Sequence, residues 1–401
     1  MQDNNSFNGN YIPPDGYNNY NGNQQNFQNS YGGQYGNYQN NNGYYYTPPQ
    51  NYPMQNQQQY YAPQYAKPQY QQAYYKPADY YDTDPAERKK IRRLYNGIGL
   101  TLICQVVLML ILVVSMQSIL QSVGYGGEYK EDGVTWIIHF WEEIQCAWMP
   151  AIASIVMFFV YNAITRYKSK ELFGTQGITP KFIITAIILT LFFQQISILL
   201  MNGLSIALYN MGYEVLFNYE ISTDVPTRLA DYFATIVLAP IAEEMFYRGI
   251  ILRSAARVSQ RYAIFFSALI FGLMHGNPYQ MILGFLIGIV LGYVTIKTGS
   301  IVPSIICHMA NNIVASIPDM FSLIDEKLYD PISIALMVLF LLVGLAVFVI
   351  VLSTGKIKMP EYTIYHKHRT TPIILTSIAV YIAVGIYVFE ILTSITPVAT
   401  S

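Results

Sequence analysis

Long apolar runs fill the chain from about residue 94 onward, and they constrain its fold more than any other feature. The first run, Leu94–Leu120, is long enough to cross a bilayer, which takes about 20 apolar residues in a helix. Eight more runs follow, at roughly 147–164, 181–209, 229–246, 262–276, 279–296, 301–317, 331–353 and 372–394. In lipid, apolar segments of this kind satisfy their backbone polar groups by forming helices. The sequence therefore predicts an all-α, polytopic integral membrane helix bundle of about nine transmembrane helices.

The charges of the connections alternate along the chain. A basic cluster at 87–93 precedes the first run, and further basic residues fall in every second connection: Arg166, Lys168 and Lys170; Arg248, Arg253, Arg257 and Arg261; Lys297; Lys356, Lys358, Lys367 and Arg369. The other connections are acidic or weakly charged. Because basic loops stay on the cytoplasmic side, the pattern predicts a multi-pass protein of the cell membrane. Its N-terminus is expected in the cytoplasm and its C-terminus outside.

The first 85 residues differ from the rest of the chain. They are rich in Tyr, Asn, Gln, Gly and Pro and nearly free of aliphatic residues, so they cannot offset the entropy of ordering by forming a core. We expect a disordered cytoplasmic tail, either merely solvated or acting as a recruitment or self-association arm whose partner is unknown. The net charge of −1 gives no reason to expect nucleic acid. Four regions result: the tail, 1–85; a basic segment and three helices, 86–228; a four-helix core, 229–317; and two C-terminal helices, 318–401.

Two adjacent acids lie in the fourth apolar run. Glu243 and Glu244 are followed by Arg248, and a charged side chain at the centre of a membrane helix costs roughly 2.5–3.5 kcal/mol on insertion scales. Glu244 and Arg248 are i,i+4 neighbours and are expected to form a structural ion pair. Adjacent helical residues point about 100° apart, so the two acids are not expected to serve one site. Glu243 would then face the bundle interior as a general base, unless both acids only cap a helix near the cytoplasmic surface.

Two histidines and an asparagine follow on later runs. His275 precedes the helix-breaking Gly276–Pro278, while His308 and Asn312 are i,i+4 and share a helix face. Each histidine alone could be a satisfied core residue. Together with Glu243 they supply what hydrolysis of an amide by water needs: a base, imidazoles that orient water or hold a metal, and an amide donor for an oxyanion. The zincin motif HExxH and the nucleophile elbow GxSxG do not occur in the sequence.

Hydropathy alone places these groups at different depths. Glu243 falls near the cytoplasmic end of its run, His275 near the outer end of the next, and His308 roughly 12 Å from the inner end of its own, at 1.5 Å per residue. For them to meet, we expect the His275 helix to begin near Ala256 and to stop in mid-membrane at Pro278. The sixth run carries Gly284, Gly288 and Gly292, a stripe that is expected to let a neighbouring helix approach closely.

Taken in order, these motifs resemble the CAAX prenyl protease and bacteriocin-processing family, also called the CPBP or Abi family. The family pattern is a glutamate pair with an arginine, then Phe-x-x-x-His, then His-x-x-x-Asn or Asp. Here it stands as Glu243-Glu244-Met-Phe-Tyr-Arg248, Phe271-x-x-x-His275 and His308-x-x-x-Asn312, with the turn 298–300 before the last motif. The resemblance covers about 229–317.

The resemblance implies an intramembrane endopeptidase with a cytosol-facing cavity, in which Glu243 activates water with the help of His275. It implies that His308 and Asn312 stabilise the oxyanion or coordinate a metal. The predicted catalytic residues are thus Glu243, Glu244, His275, His308 and Asn312, with Arg248 as a structural partner. A divalent metal such as zinc would be held by Glu243, His275 and His308, which is a three-ligand set that zinc chemistry accepts. A metal-free glutamate mechanism uses the same atoms.

The predicted function is that of a membrane-embedded peptidase which cuts a membrane-proximal protein or peptide. Processing of bacteriocins or signal peptides, or self-immunity, is its expected role, with the lipid bilayer and the peptide substrate as partners. Two alternatives stay open. One is a non-catalytic immunity or scaffold protein, whose helices bind a partner. The other, less favoured, is a transporter, which would often show internal repeats.

Overall fold

The computed structural model describes residues 85–122, 133–166, 169–175, 177–216, 225–355 and 377–398. Helices make up almost all of these residues, which confirms the all-α class. Residues 1–84 of the predicted tail lie outside the described residues. The regular helices are α1 (Pro85–Ser122), α2 (Gly133–Thr165), α3 (Pro180–Asn210), α4 (Val225–Phe233), α5 (Ala239–Glu243), α6 (Arg253–Ala256), α7 (Gln260–Leu273), α8 (Pro278–Thr298), α9 (Val302–Ser322), α10 (Tyr329–Ser353) and α11 (Ile378–Thr393). Two 3₁₀ turns, Ser169–Phe173 and Glu326–Leu328, lie before α3 and α10.

One irregular helix, here called the composite helix, runs without a break through residues 225–256. It consists of α4, a π-helical stretch Ala234–Leu238, α5, a second π stretch Glu244–Leu252, and α6. The predicted span 229–246 was therefore too short. Arg248 and Arg253 therefore lie inside the helix and not in a connection. Arg248 is fully buried there and paired with Glu244.

Nine helical segments occupy the nine predicted positions in the described part of the chain. Five helices are long and apolar enough to cross a membrane, namely α1, α2, α3, α8 and α10. Helices α7 and α11 are apolar but shorter, with 14 and 16 residues. The composite helix and α9 complete the set. The chain is therefore a multi-pass membrane protein.

Local sequence signals explain where several helices begin and end. Thr179, Ser259, Asn277 and Ser377 are N-cap residues whose side chains accept a backbone N–H of the first turn of α3, α7, α8 and α11. Pro180 and Pro278 occupy first-turn positions of α3 and α8, where a missing N–H costs nothing. Helix α8 ends at Gly299 with a φ of 70°, a left-handed cap that glycine adopts without strain.

The helix that carries the first histidine is short. Helix α7 begins at Gln260, four residues after the predicted start near Ala256, and ends at Leu273. Its 14 residues span about 21 Å at 1.5 Å per residue, which is less than the roughly 30 Å hydrocarbon thickness. Gly276, with a φ of 68°, turns the chain into α8. The predicted break before Pro278 is confirmed.

Contacts between connections define two ends of the bundle. At the near end, where α1 begins, the Ile301 N–H donates to the Leu172 carbonyl at 2.9 Å, and the Ser377 hydroxyl donates to Asn96 Oδ1 at 2.8 Å. At the far end, two short strands that were not predicted, β1 (Tyr213–Val215) and β2 (Ile395–Pro397), pair in antiparallel register, with Glu214 opposite Thr396. Strand β1 follows the third span and β2 the ninth, so both odd-numbered spans end at the same side. This agrees with strict alternation of the spans.

The main core lies where the composite helix, α1 and α7 meet. Its fully buried side chains include Tyr247, Ile250, Phe271 and Tyr95. Helix α7 packs along α8, and α8 in turn packs on α3 and α9. By contrast, α10 buries only Gly344 among its residues, as expected of a helix that faces lipid.

The glycine stripe of α8 lies against α7, as predicted. A Cβ added at Gly284 would come within 3.0 Å of Gly272 Cα, and one at Gly288 within 3.0 Å of Ala268 Cα. Real Cβ atoms rarely approach so closely, so the two helix backbones require glycine at these positions. This close approach fixes the distance between the end of α7 and the first turns of α8.

Candidate active site

The two acids lie at a change of helical geometry. Glu243 is the last residue of α5, and Glu244 is the first residue of the second π stretch. π-Helical turns are rare and are found disproportionately at functional sites. Here they widen the composite helix on both sides of α5, so the acid pair is flanked by irregular backbone in two directions.

Four side chains form what we call the polar cluster: Glu243, Glu244, Arg248 and His308. Arg248 Nη1 lies 3.0 Å from Glu244 Oε1, and both side chains are fully buried. His308 Nδ1 lies 3.1 Å from the same Glu244 oxygen, and His308 Nε2 lies 3.6 Å from Glu243 Oε2. The cluster is therefore a chain of alternating groups that runs from a buried guanidinium to the Glu243 carboxylate.

The contacts of His308 correct one expectation. Glu243 and Glu244 were not expected to serve one site, yet each faces a different nitrogen of the same imidazole. The ring reaches both because its two nitrogens lie on different edges and it enters from α9. Since a carboxylate only accepts hydrogen bonds, the contact with Glu244 assigns a proton to His308 Nδ1.

The aromatic ring of Phe271 holds the cluster together from α7. The Arg248 guanidinium lies 4.4 Å from the centre of this ring, a distance at which cations are attracted to an aromatic face. The same ring meets His275 and His308 edge-on, with centroids 5.2 and 5.6 Å apart. The other Arg248 nitrogen, Nη2, is 3.5 Å from the Gly288 carbonyl.

Glu243 and His275 line one cavity of about 310 Å³, here called the central cavity. His275 Nδ1 lies 2.8 Å from the Phe271 carbonyl. A carbonyl only accepts, so this nitrogen carries a proton, and in the neutral form of the ring Nε2 is then an acceptor. The Glu243 side chain remains 18% exposed while Glu244 has no exposed surface, so Glu243 is the member of the pair that can meet water or substrate.

Asn312 has a different environment. Its Nδ2 donates to the Thr235 carbonyl at 2.7 Å, and its Oδ1 accepts from Asn311 Nδ2 at 3.0 Å. Thr235 belongs to the first π stretch, so Asn312 ties α9 to irregular backbone. It is not among the described residues that line the central cavity, and its role at an oxyanion stays a prediction.

The predicted metal ligands are Glu243, His275 and His308. Within the described ranges, no group of three or more His, Cys, Asp or Glu side chains is arranged to hold a metal ion. Glu243 and His308 face each other at 3.6 Å, and His275 lines the central cavity together with Glu243. Zinc binding by Glu243, His275 and His308 stays a prediction.

Several cavity residues were missed from the sequence. Gln105 and Ser154, from α1 and α2, line the central cavity, and Gln105 Nε2 lies 3.4 Å from Ser154 Oγ. Tyr387 and Glu390 line it from α11. Glu390 carried a visible signal, since it is a lone acid in the ninth apolar run. The two polar residues of α1 and α2 had none that distinguishes them from ordinary packing.

Comparison with known proteins identifies one family. Residues 225–314 match the family model described as type II CAAX prenyl endopeptidase Rce1-like. The matched segment nearly coincides with the predicted core 229–317 and contains the whole polar cluster, His275 and Asn312. The resemblance to the CAAX prenyl protease family is thereby confirmed over this segment. No curated protein and no solved structure matches the chain.

Proposed function

We propose, from the match of residues 225–314 to type II CAAX prenyl endopeptidases, that the chain is a membrane-embedded endopeptidase. Its substrate would be a membrane-proximal protein segment or a peptide. The observation that carries the proposal is the placing of Glu243. This carboxylate faces a cavity inside a membrane bundle, with one imidazole behind it and another beside it.

The reaction is hydrolysis by an activated water. The neutral His275 accepts a hydrogen bond from the water at Nε2, which orients the molecule between His275 and Glu243. Glu243 removes a proton from the water while the water oxygen attacks the carbonyl carbon of the scissile peptide bond. The carbon–nitrogen bond then breaks, and Glu243 returns the proton to the leaving nitrogen. One water is consumed for each peptide bond that breaks, Glu243 ends in its starting state, and no covalent intermediate with the protein forms.

The rest of the polar cluster positions the base. Glu244 holds a proton on His308 Nδ1, and His308 Nε2 faces Glu243. Arg248 neutralises Glu244 in turn. An oriented His308 keeps the Glu243 carboxylate aimed at the cavity. Glu244 therefore acts through His308 and is a positioning residue in this proposal. Asn312 is proposed to hold the composite helix in place and to stabilise the oxyanion.

The processing of bacteriocins or signal peptides, or self-immunity, is the role that we propose for this activity. Glu243→Ala tests the reaction itself. We expect this variant to insert and fold normally while losing at least a hundredfold in kcat, the scale at which general base catalysis contributes. The measurement compares protein N-termini in cells that express the wild type or the variant, and then cleavage of the identified segments by protein reconstituted in vesicles.

Glu326→Ala serves as the matched control, because Glu326 is an exposed acid in a 3₁₀ turn away from the cluster. It should leave the set of N-termini unchanged. If Glu243→Ala produces the same N-termini as the wild type, the protein is not a protease that uses this carboxylate. A biological function retained by Glu243→Ala would favour the non-catalytic immunity or scaffold protein instead.

A further inference from the structure

The central cavity has a wall that the matched family segment does not provide. Helices α1, α2 and α11 all lie outside residues 225–314, and they contribute Gln105, Ser154, Tyr387 and Glu390 to the lining. The catalytic wall from the composite helix and α7 thus faces a second wall that comes from outside the matched segment. A peptide bound between the two walls would contact both of them.

Glu390 is the charged residue of the second wall. A Cβ built on Gly276 would lie 3.4 Å from Glu390 Oε2, which places the carboxylate beside the residue that follows His275. Glu390 is half-buried, and no ion pair joins it to another described residue. Glu243, in contrast, faces His308 at 3.6 Å. The cavity therefore holds two carboxylates: Glu243, which the polar cluster positions, and Glu390, which it does not.

Acidic side chains outnumber basic ones in the described lining of the central cavity. Its described lining contains two carboxylates and one imidazole, together with neutral polar and apolar side chains, and neither lysine nor arginine. A carboxylate in a membrane span is costly unless a cation accompanies it. Walls of low dielectric constant concentrate its field, so a cation that enters the cavity is attracted over a long distance. The cation that a peptide substrate brings into such a cavity is an organic one, an ammonium or a guanidinium group.

We propose that Glu390 binds a positively charged side chain of the substrate, a lysine or an arginine close to the scissile bond. The proposal rests on the proposed endopeptidase function and names the substrate class of the same cavity. Glu390 would fix the register of the peptide, so that the peptide bond a few residues away lies at Glu243 and His275. Its role is in specificity, and the proton transfers remain with Glu243.

The test uses full-length protein in vesicles and membrane-anchored peptides that carry a sequence cut by the wild type. Around the cut, one residue at a time is set to Lys, Gln or Glu. At one position we expect the wild type to prefer Lys over Gln by about tenfold or more in kcat/KM, the scale of a charge-assisted hydrogen bond. Glu390→Gln should abolish this preference mainly through KM, and Glu390→Lys should shift it towards the peptide with Glu.

Glu214→Gln is the matched control, since Glu214 is an exposed acid at the same end of the bundle, and it should keep the preference for Lys. Equal cleavage of the Lys and Gln peptides by the wild type at every position would overturn the proposal. So would a Glu390→Gln variant whose kcat falls equally for all peptides, because this would mean a chemical role. A separate outcome concerns the endopeptidase function itself. That function fails if every sequence cut in the presence of the wild type is also cut in the presence of Glu243→Ala.

Discussion

Arg248 shows how strongly a single residue depends on its partners inside this bundle. Its guanidinium is fully buried between Glu244, Phe271 and the Gly288 carbonyl. Removing one member of a buried ion pair leaves the other charge uncompensated, which typically costs about 3–5 kcal/mol. We expect Arg248→Met to destabilise the protein by about this amount, measured as a lowered midpoint of thermal or denaturant unfolding in detergent.

The cost should come from Glu244 and not from lost packing. The double variant Glu244→Gln/Arg248→Met removes both charges, and replacing a buried pair as a whole is often close to neutral. We expect it to recover most of the lost stability while remaining poorly active, because His308 has lost its carboxylate partner. A double variant as unstable as Arg248→Met would instead show that the guanidinium acts mainly through its contact with Phe271.

At the residue scale, the sequence predicted local relations better than tertiary ones. The Glu244–Arg248 pair follows from an i,i+4 spacing, and the structure contains it. The bridge made by His308 joins residues 64 positions apart, and no spacing rule indicates which ring nitrogen meets which acid. Glu390 was missed for the same reason, since its approach to Gly276 depends on how α11 packs.

Helix α8 sets the position of His275 through its glycines. A Cβ at Gly284 would lie 3.2 Å from His275 Cε1 as well as 3.0 Å from Gly272 Cα. Gly284→Ala should therefore push the imidazole out of line and cost about 1–3 kcal/mol of stability by overpacking. Since displacements near 1 Å can cost about a hundredfold in rate, we expect kcat to fall by about tenfold to a hundredfold, measured on vesicle-reconstituted enzyme.

Two further glycines of the same stripe separate the causes. A Cβ at Gly292 would meet its nearest atom, in Ile264, at the ordinary distance of 3.4 Å, so Gly292→Ala should be tolerated. A Cβ at Gly288 would crowd Ala268, meet Phe271 only at the ordinary distance of 3.4 Å and not touch His275, so Gly288→Ala should lose stability with a smaller loss of kcat. If Gly284→Ala and Gly288→Ala reduce kcat equally, the spacing of the helices matters and the contact with His275 does not.

At the element scale, turn chemistry was a better guide than hydropathy. The Gly-Asn-Pro sequence predicted the break between α7 and α8, and the structure has it there. The length of the composite helix was underestimated because the arginines at 248 and 253 read as a loop. The two π stretches have no counterpart in an apolar pattern, since their wider turns depend on packing against α2, α7 and α9. Correctly placed helices were thus combined with a wrong end for the helix that carries Glu243.

The whole molecule has two ends, and its orientation can be measured directly. The basic connections predict that the near end faces the cytoplasm. In a chain without its three native cysteines, Thr393→Cys lies at the exposed end of α11, and Thr354→Cys lies at the exposed end of α10. We expect a membrane-impermeant thiol reagent to label the first from outside intact cells and the second only after the membrane is opened.

The labelling also decides between two expectations about the cavity. His275 and Glu390 both lie close to the far ends of their helices, so the central cavity extends towards the far end. The charge pattern places this end outside, whereas the family resemblance implies a cavity that faces the cytosol. Labelling of Thr354→Cys from outside would reverse the predicted orientation and bring the cavity to the cytosolic side.

Nine consecutive residues after Glu243 have π geometry. A π turn uses more residues than an α turn for the same rotation, so such a stretch is equivalent to a helix that carries a surplus residue. Deleting one amino acid there would restore ordinary winding and leave the residues beyond it on nearly the same faces, whereas a deletion from a regular α-helix turns everything beyond it by about 100°. When related sequences are aligned, a gap of one position between 244 and 252 should therefore weigh less than the loss of an acid.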